Sequence, residues 1–262
     1  MTDTSIGTNS GKNSWHGKVA IVTGGSSGIG KATALALVQN GANVLITGRD
    51  GAKLAEVAEI SDAIEAVTAD SADPNSAARI VDAAKGRWGR LDLIVNNAGA
   101  GHPLPSGDYD AEAIAKMTAI NITAPSLLVK AGQAALRDSK GAIVNIGTAV
   151  SRNAIPMLAH YGATKTALES LTRAWAMEFA PDHIRVNAIA PGPVKSNALT
   201  GMMGLPSEMA QQVEAQEAAQ IPLGRRGTPD DIVPWILRLG SPDNAWLTGQ
   251  VLTIDGGWSL RT

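Results

Sequence analysis

Apolar residues along this chain fall into short runs, separated by longer stretches that are apolar on one side only. KVAIVT (18–23), NVLIT (43–47), IEAVTA (64–69), LDLIVN (91–96), GAIVNI (141–146), IRVNAI (184–189) and QVLTI (250–254) are β-branched and almost continuously apolar. Strands covered on both faces read this way. Between them, 29–40, 50–59, 74–88, 110–137, 159–180 and 228–239 carry the three-and-four spacing of half-buried helices. Strand alternating with helix, joined by right-handed crossovers, predicts an α/β chain with a doubly wound parallel sheet of about seven strands. No composition break separates a second domain, so 16–262 reads as one domain and 1–15, polar and small, as a flexible tail. The exception is 197–220, a Met-rich helical insertion placed to cover whatever binds beneath it.

Composition narrows the function. Hydrophobic residues at 44% and charged residues at 18% exclude a disordered chain. A net charge of −2 gives no basic field, which removes nucleic acid and anionic membrane as main partners. With no cysteine there is no disulfide, thiolate metal site or thiol nucleophile, in agreement with a cytoplasmic setting. No apolar run reaches the ~18 residues of a membrane span, and the N-terminus lacks the basic start and apolar stretch of a secretory signal. Aromatics are scarce at 3% while glycines number 28, so small side chains let backbone approach a ligand closely.

The first strand runs into Thr23-Gly24-Gly25-Ser26-Ser27-Gly28-Ile29-Gly30 and then a good helix. A glycine turn there lets backbone N–H groups reach a pyrophosphate at the helix N-terminus; a plain tight turn is the alternative. Asn96-Asn97-Ala98-Gly99 ends the fourth strand, across the crevice where ligands of open parallel sheets bind. Asp70, ending the third strand, either accepts from an adenine amino group or is an ordinary loop residue. Thr47-Gly48-Arg49-Asp50 ends the second strand. An acid there would hold a ribose diol, whereas Arg pairs with a 2′-phosphate. Gly48 is no acid and Asp50 looks like a helix cap, so Arg49 points to a phosphorylated ribose, unless it is only a solvated surface charge.

Tyr161 and Lys165 stand four apart on a helix whose apolar stripe is Leu168, Leu171, Trp175 and Phe179. That spacing puts phenol and ammonium on one face, where a close cation would favour the phenolate; a surface pair is the alternative. Asn121 interrupts the stripe Ile114, Met117, Ala124, Leu128, and Pro125 follows it. Proline has no N–H, so the Asn121 carbonyl loses its helical partner and the helix should kink, around either a bound water or nothing in particular.

From Lys18 to Trp258 the chain resembles the short-chain dehydrogenase/reductase family, in particular the 3-oxoacyl-ACP reductase-like carbonyl reductases. The resemblance rests on Thr23 to Gly30, Asn96 to Gly99, Asn121, Tyr161-x-x-x-Lys165, Pro191-Gly192 and Asp255-Gly256-Gly257, all in order at strand ends. It implies a single-domain Rossmann-type fold and a nicotinamide dinucleotide, NADP(H) preferred and NAD(H) possible. Gly24, Ser26, Ser27, Gly28, Ile29, Gly30, Arg49, Asp70, Asn97, Ala98, Gly99, Pro191, Gly192, Val194 and Ser196 would line its site, with Tyr161 and Lys165. Tyr161 would give and take the proton, Lys165 would lower its pKa and hold the nicotinamide ribose, and Asn121 would hold a water. Two positions depart from the family pattern. Thr148 stands thirteen residues before Tyr161 where serine is usual, keeping the hydroxyl but adding a methyl, and Ser196 stands where threonine is favoured.

The implied activity is NADP(H)-dependent interconversion of a carbonyl and an alcohol. A nucleotide-binding scaffold or sensor without turnover, or a C=C or C=N reductase on the same fold, are the competing readings. The substrate would be an uncharged, mid-sized molecule, walled by the lid residues Met202, Met203, Leu205 and Met209 and by the loop Ala100 to Asp108. The resemblance also implies a homo-oligomer, tetramer or dimer, through the 110–137 and 159–180 helices.

Overall fold

A computed structural model describes residues 14–196 and 198–260. Seven parallel strands form one sheet in the order β3-β2-β1-β4-β5-β6-β7. They are β1 (Val19–Thr23), β2 (Asn43–Gly48), β3 (Ile64–Thr68), β4 (Leu93–Asn96), β5 (Ala142–Ile146), β6 (Arg185–Pro191) and β7 (Val251–Ile254). The expected strands are all present, with ends moved by a residue or two. Strand order reverses between β1 and β4, whose residues pair as Ala20–Leu93 through Val22–Val95, and this opens a crevice at their carboxyl ends.

The described residues form eight α-helices: α1 (Gly28–Gln39), α2 (Gly51–Ala58), α3 (Ser76–Trp88), α4 (Ala111–Thr118), α5 (Ala124–Ser139), α6 (Ala159–Phe179), α7 (Ser207–Gln220) and α8 (Pro229–Gly240). Alternate strand residues point to opposite faces, and this divides the core in two. Ala20, Val22 and Val144 pack with Leu37 of α1 and Ile236 of α8 on one face. Val19, Ile21, Ile94 and Ile143 pack with Ile80 of α3, Leu136 of α5, and Leu168 and Phe179 of α6 on the other. Both faces are therefore dry, which explains the unbroken apolar runs. A fully buried Ile or Leu contributes about 1.5–3 kcal/mol over an exposed one.

Two expectations need correction. Residues 1–13 of the expected tail lie outside the described residues, but Trp15 is not tail: it is buried in the α1–α8 core, its indole seated against Gly240. The single helix expected over 110–137 is broken. Between α4 and α5, Ala119–Thr123 forms a π turn, in which the Ala124 N–H reaches back to the Ala119 carbonyl. The wider turn accommodates Pro125 at the start of α5, so the local disturbance is a bulge rather than a simple kink. The helical insertion has two parts. Ala198–Met202 is a second π turn and α7 follows it, with Asn197 outside the described residues.

Candidate active site

The glycine turn is shaped by what glycine lacks. Gly24 has φ +67°, and a Cβ there would stand 2.9 Å from Asn97 Nδ2. A Cβ on Gly30 would press into the Gly24 carbonyl and lie 2.5 Å from Asn97 Nδ2. The turn is thus folded tightly onto Asn97, whose amide donates to the Thr23 carbonyl at 2.8 Å. Thr23 Oγ1 in turn accepts from the N–H groups of Asn97 (3.0 Å) and Ala98 (2.9 Å), locking β4's end to β1's. Ser27 precedes α1 with extended backbone and its side chain does not cap the helix, and no acid occupies the first turn. The N–H groups opening α1 at Gly28, Ile29 and Gly30 remain available to an anion. Ser26 Oγ lies against Gly48, at 3.7 Å from where its Cβ would be, and Ser196 stands 3.4 Å from the same position on Gly28. This cradle fits a dinucleotide: side chains have been removed where a pyrophosphate needs backbone.

Tyr161, Thr148, Lys165 and Asn121 are all buried beside that cradle. Thr148 follows β5, and its side chain interacts with the Tyr161 phenol in the sense that lowers the phenol's pKa. Lys165 donates from Nζ to the Ile146 carbonyl at 2.8 Å. Gly99 closes the group, because a Cβ there would lie 3.2 Å from Lys165 Nζ and 3.5 Å from Asn121 Oδ1. The electrostatics differ from the simple cation-beside-phenol picture. Burial pushes the Tyr161 phenol above its ordinary range, and the Thr148 side chain only partly opposes this. Burial pushes Lys165 down to about 8. Desolvation acts against both charged forms and exceeds the local attractions.

The Asn121 side chain, rather than the kink, fixes the loop wall. Its Nδ2 donates to the Ala100 carbonyl (2.7 Å) and to Thr164 Oγ1 (2.9 Å), while Oδ1 accepts from the Ala100 N–H (2.9 Å). Thr164 also donates to the Tyr161 carbonyl at 2.8 Å, so the π turn, the β4 loop and α6 share one network. Leu104, Met117 and Tyr161 pack together with Ala100, Ile114 and Val150 around them. Gly101 lies flat against the Tyr161 ring and Met202, with a Cβ there 3.1 and 3.2 Å from them. Met209 is half-exposed, whereas Met203 and Leu205 are partly buried.

At the far end of the crevice, Asp50 caps α2, accepting from the Lys53 N–H at 3.1 Å and pairing with Lys53 Nζ at 3.3 Å. Arg49 is exposed, with no hydrogen bond or ion pair to any described residue. Asp70 is exposed as well and accepts from the Ala72 N–H (2.9 Å), as a loop residue does. After β6, the Gly192 N–H donates to the Ile254 carbonyl, and a side chain on Gly192 would strike Asp255. The Asp255-Gly256-Gly257 turn therefore backs the Pro191-Gly192 segment.

Sequence reasoning missed the supports behind these groups. Asn145, the one polar residue in the run 141–146, accepts from Asn96 Nδ2 (2.8 Å) and donates to Thr172 (2.9 Å). Its interruption of an apolar strand was the available signal. Arg152 bonds the Thr148 carbonyl (3.3 Å) and the buried carboxylate of Glu169 (3.0 Å). Nothing in their spacing announces that pair.

Similarity to known proteins agrees with this arrangement. The family model described as Enoyl-(Acyl carrier protein) reductase matches residues 24–259. The 2-(S)-hydroxypropyl-CoM dehydrogenase 3 of Xanthobacter autotrophicus is 36% identical over 245 residues, covering 92% of this chain and 96% of that protein. A short-chain dehydrogenase/reductase of Caenorhabditis elegans, solved with cofactor, superposes with a TM-score of 0.90 at 33% identity, over 95% of this chain and 97% of that one. The 3-ketoacyl-(acyl-carrier-protein) reductase of Brucella melitensis, complexed with NADH, gives 0.85 at 32% identity, over 94% and 99%. A glycine cradle on a Rossmann-type sheet, a buried tyrosine–lysine pair and relatives matched over nearly their whole length have one explanation: the chain belongs to the short-chain dehydrogenase/reductase family of oxidoreductases.

Proposed function

We propose that this chain interconverts a carbonyl and an alcohol with NADP(H), using Tyr161 as the proton donor and acceptor. The observation that carries this reading is the Tyr161–Thr148 hydroxyl pair, buried at the sheet's carboxyl edge beside Lys165 and Asn121. Backbone N–H groups from Gly24 to Gly30 would hold the pyrophosphate, with Asn97, Ala98, Gly99, Pro191, Gly192, Val194 and Ser196 around the rest of the dinucleotide. When bound, the nicotinamide supplies or receives the hydride. Thr148 orients the substrate oxygen by its hydroxyl. Tyr161, held protonated by burial, is in the form that donates during reduction. Lys165, with a pKa of about 8, loses and regains its proton near working pH and can reload the tyrosine through a water at Asn121.

Arg49 supports the preference for NADP(H). Among the described residues it has no partner, and the neighbouring Asp50 is committed to capping α2. The walls contributed by Gly101, Leu104, Met117, Val150 and Met202 carry no charge, which suits an uncharged, mid-sized substrate. Exposed Met177 on α6 and exposed Trp235 and Trp246 suit a homo-oligomer. The C=C alternative draws on the enoyl reductase description of the matching family model, whereas the named relatives include dehydrogenases and oxoacyl reductases. The test is NADPH oxidation over a panel of ketones and enones with Tyr161→Phe alongside. The wild type should reduce ketones, and the variant should bind nucleotide but lose turnover by several orders of magnitude. Near wild-type reduction by the variant would remove Tyr161 from the chemistry.

A further inference from the structure

Helix α7, which packs against the Ala198–Met202 turn, has almost no apolar grip. Ala210 is the one buried residue among its described positions. The residues four and seven further on, Glu214 and Glu217, share its face. Both meet Arg226, a guanidinium only 5% exposed in the turn before α8. Arg226 Nε lies 2.9 Å from Glu217 Oε2 and Nη1 meets Glu214; neither contact has hydrogen-bond alignment, so the attraction is ionic. On its other side, Nη2 donates to the Val194 carbonyl at 3.1 Å.

The same turn is stitched to the Val194 loop by backbone: Lys195 N–H to Gly227 carbonyl (2.8 Å) and Gly227 N–H to Pro193 carbonyl (2.9 Å). Its neighbour Arg225 forks onto Asp231 of α8 at 2.7 and 2.8 Å, so the base of the turn is fixed. An arginine cannot shed its proton to escape burial. Lifting α7 away would strip this cation of both carboxylates and leave it the Val194 carbonyl and water. Burial already pushes Glu217 upward, with the Arg226 charge opposing it, as expected of a carboxylate enclosed with its partner.

We propose that Arg226 is a positioning residue that couples α7 to the Val194 loop, so that the helix and the loop beside the cofactor cradle move as one. This rests on the reading above, in which Val194 and Ser196 line the nicotinamide end. Ser196 already stands against Gly28 at the opening of α1, so displacement of this loop would widen the cradle.

Hydrogen exchange of the full-length chain tests the coupling without any turnover. Glu214→Gln with Glu217→Gln alters only α7, yet exchange should quicken about tenfold both in 207–220 and in 193–196. Arg226→Met should do the same and weaken NADPH binding by about tenfold, with Arg226→Lys between it and the wild type. Faster exchange in α7 alone, or a lower melting temperature with unchanged exchange pattern and NADPH affinity, would overturn the coupling. If Arg226→Met does not fold, the double glutamine variant decides by the same two segments. A wild type that binds neither NADPH nor NADH overturns the dehydrogenase reading instead, and the exchange result still decides the coupling.

Discussion

Replacing Lys165 by methionine should stabilise this protein at pH 7 while abolishing its turnover. The lysine is 3% exposed, and burial lowers its pKa from 10.5 to about 8. At about 1.36 kcal/mol per unit, keeping the ammonium there at neutral pH costs the fold roughly 3 kcal/mol. Methionine has similar length and no charge. Its introduction leaves the Ile146 carbonyl without the 2.8 Å donor, a loss of about 1–2 kcal/mol. The net gain is about 1–2 kcal/mol, or roughly 2–8 °C in melting temperature for a chain of this size. Linkage fixes the sign with pH. Between about 8 and 10.5 the unfolded chain holds more protons at this position than the native one, so wild-type stability rises with pH across that window. The variant gains nothing there, and its advantage should vanish or reverse at pH 10. Melting of both proteins at pH 7 and pH 10 is sufficient. A variant less stable than wild type at pH 7 would show that the ammonium is not buried at a cost, and the placement of Lys165 as a strained functional group would be wrong.

Two further outcomes follow from the site. Thr148→Ser keeps the hydroxyl against Tyr161 and should hold ketone reduction within about tenfold, ~1.4 kcal/mol in barrier, while Thr148→Ala should lose far more; equal rates for all three proteins would take the hydroxyl out of the reaction. Gly48→Asp combined with Arg49→Ala should reverse cofactor preference, since a charged contact to a 2′-phosphate is worth about 1.5–3 kcal/mol. Equal dissociation constants for NADH and NADPH in the wild type would return Arg49 to the solvated surface.

The chain by itself determined the fold and named most of the candidate groups that the structure brings together. Seven runs that are apolar on both sides read as strands between two helical layers, whereas the strand order belongs to the tertiary structure, because right-handed crossovers allow more than one order. Glycines 24, 28 and 30 were legible because a missing side chain at a strand-to-helix turn has few other uses, and Tyr161 with Lys165 because four residues on a helix is one face. What tertiary structure decided was everything that depends on burial or on partners distant in sequence. The tyrosine–lysine spacing implies a lowered phenol pKa, but enclosure of both groups reverses the direction for Tyr161. Asn121 reads as a kink beside proline, yet its work is to join Ala100 to Thr164, residues brought together only when α5, α6 and the β4 loop pack. Trp15 looked like tail because its neighbours are polar, and only Gly240 and the α1–α8 core give its indole a place. Arg226 stands next to another arginine in a turn, where solvent would be the natural expectation. Its burial exists only because two glutamates of α7 and one carbonyl converge on it, and no local pattern encodes that convergence.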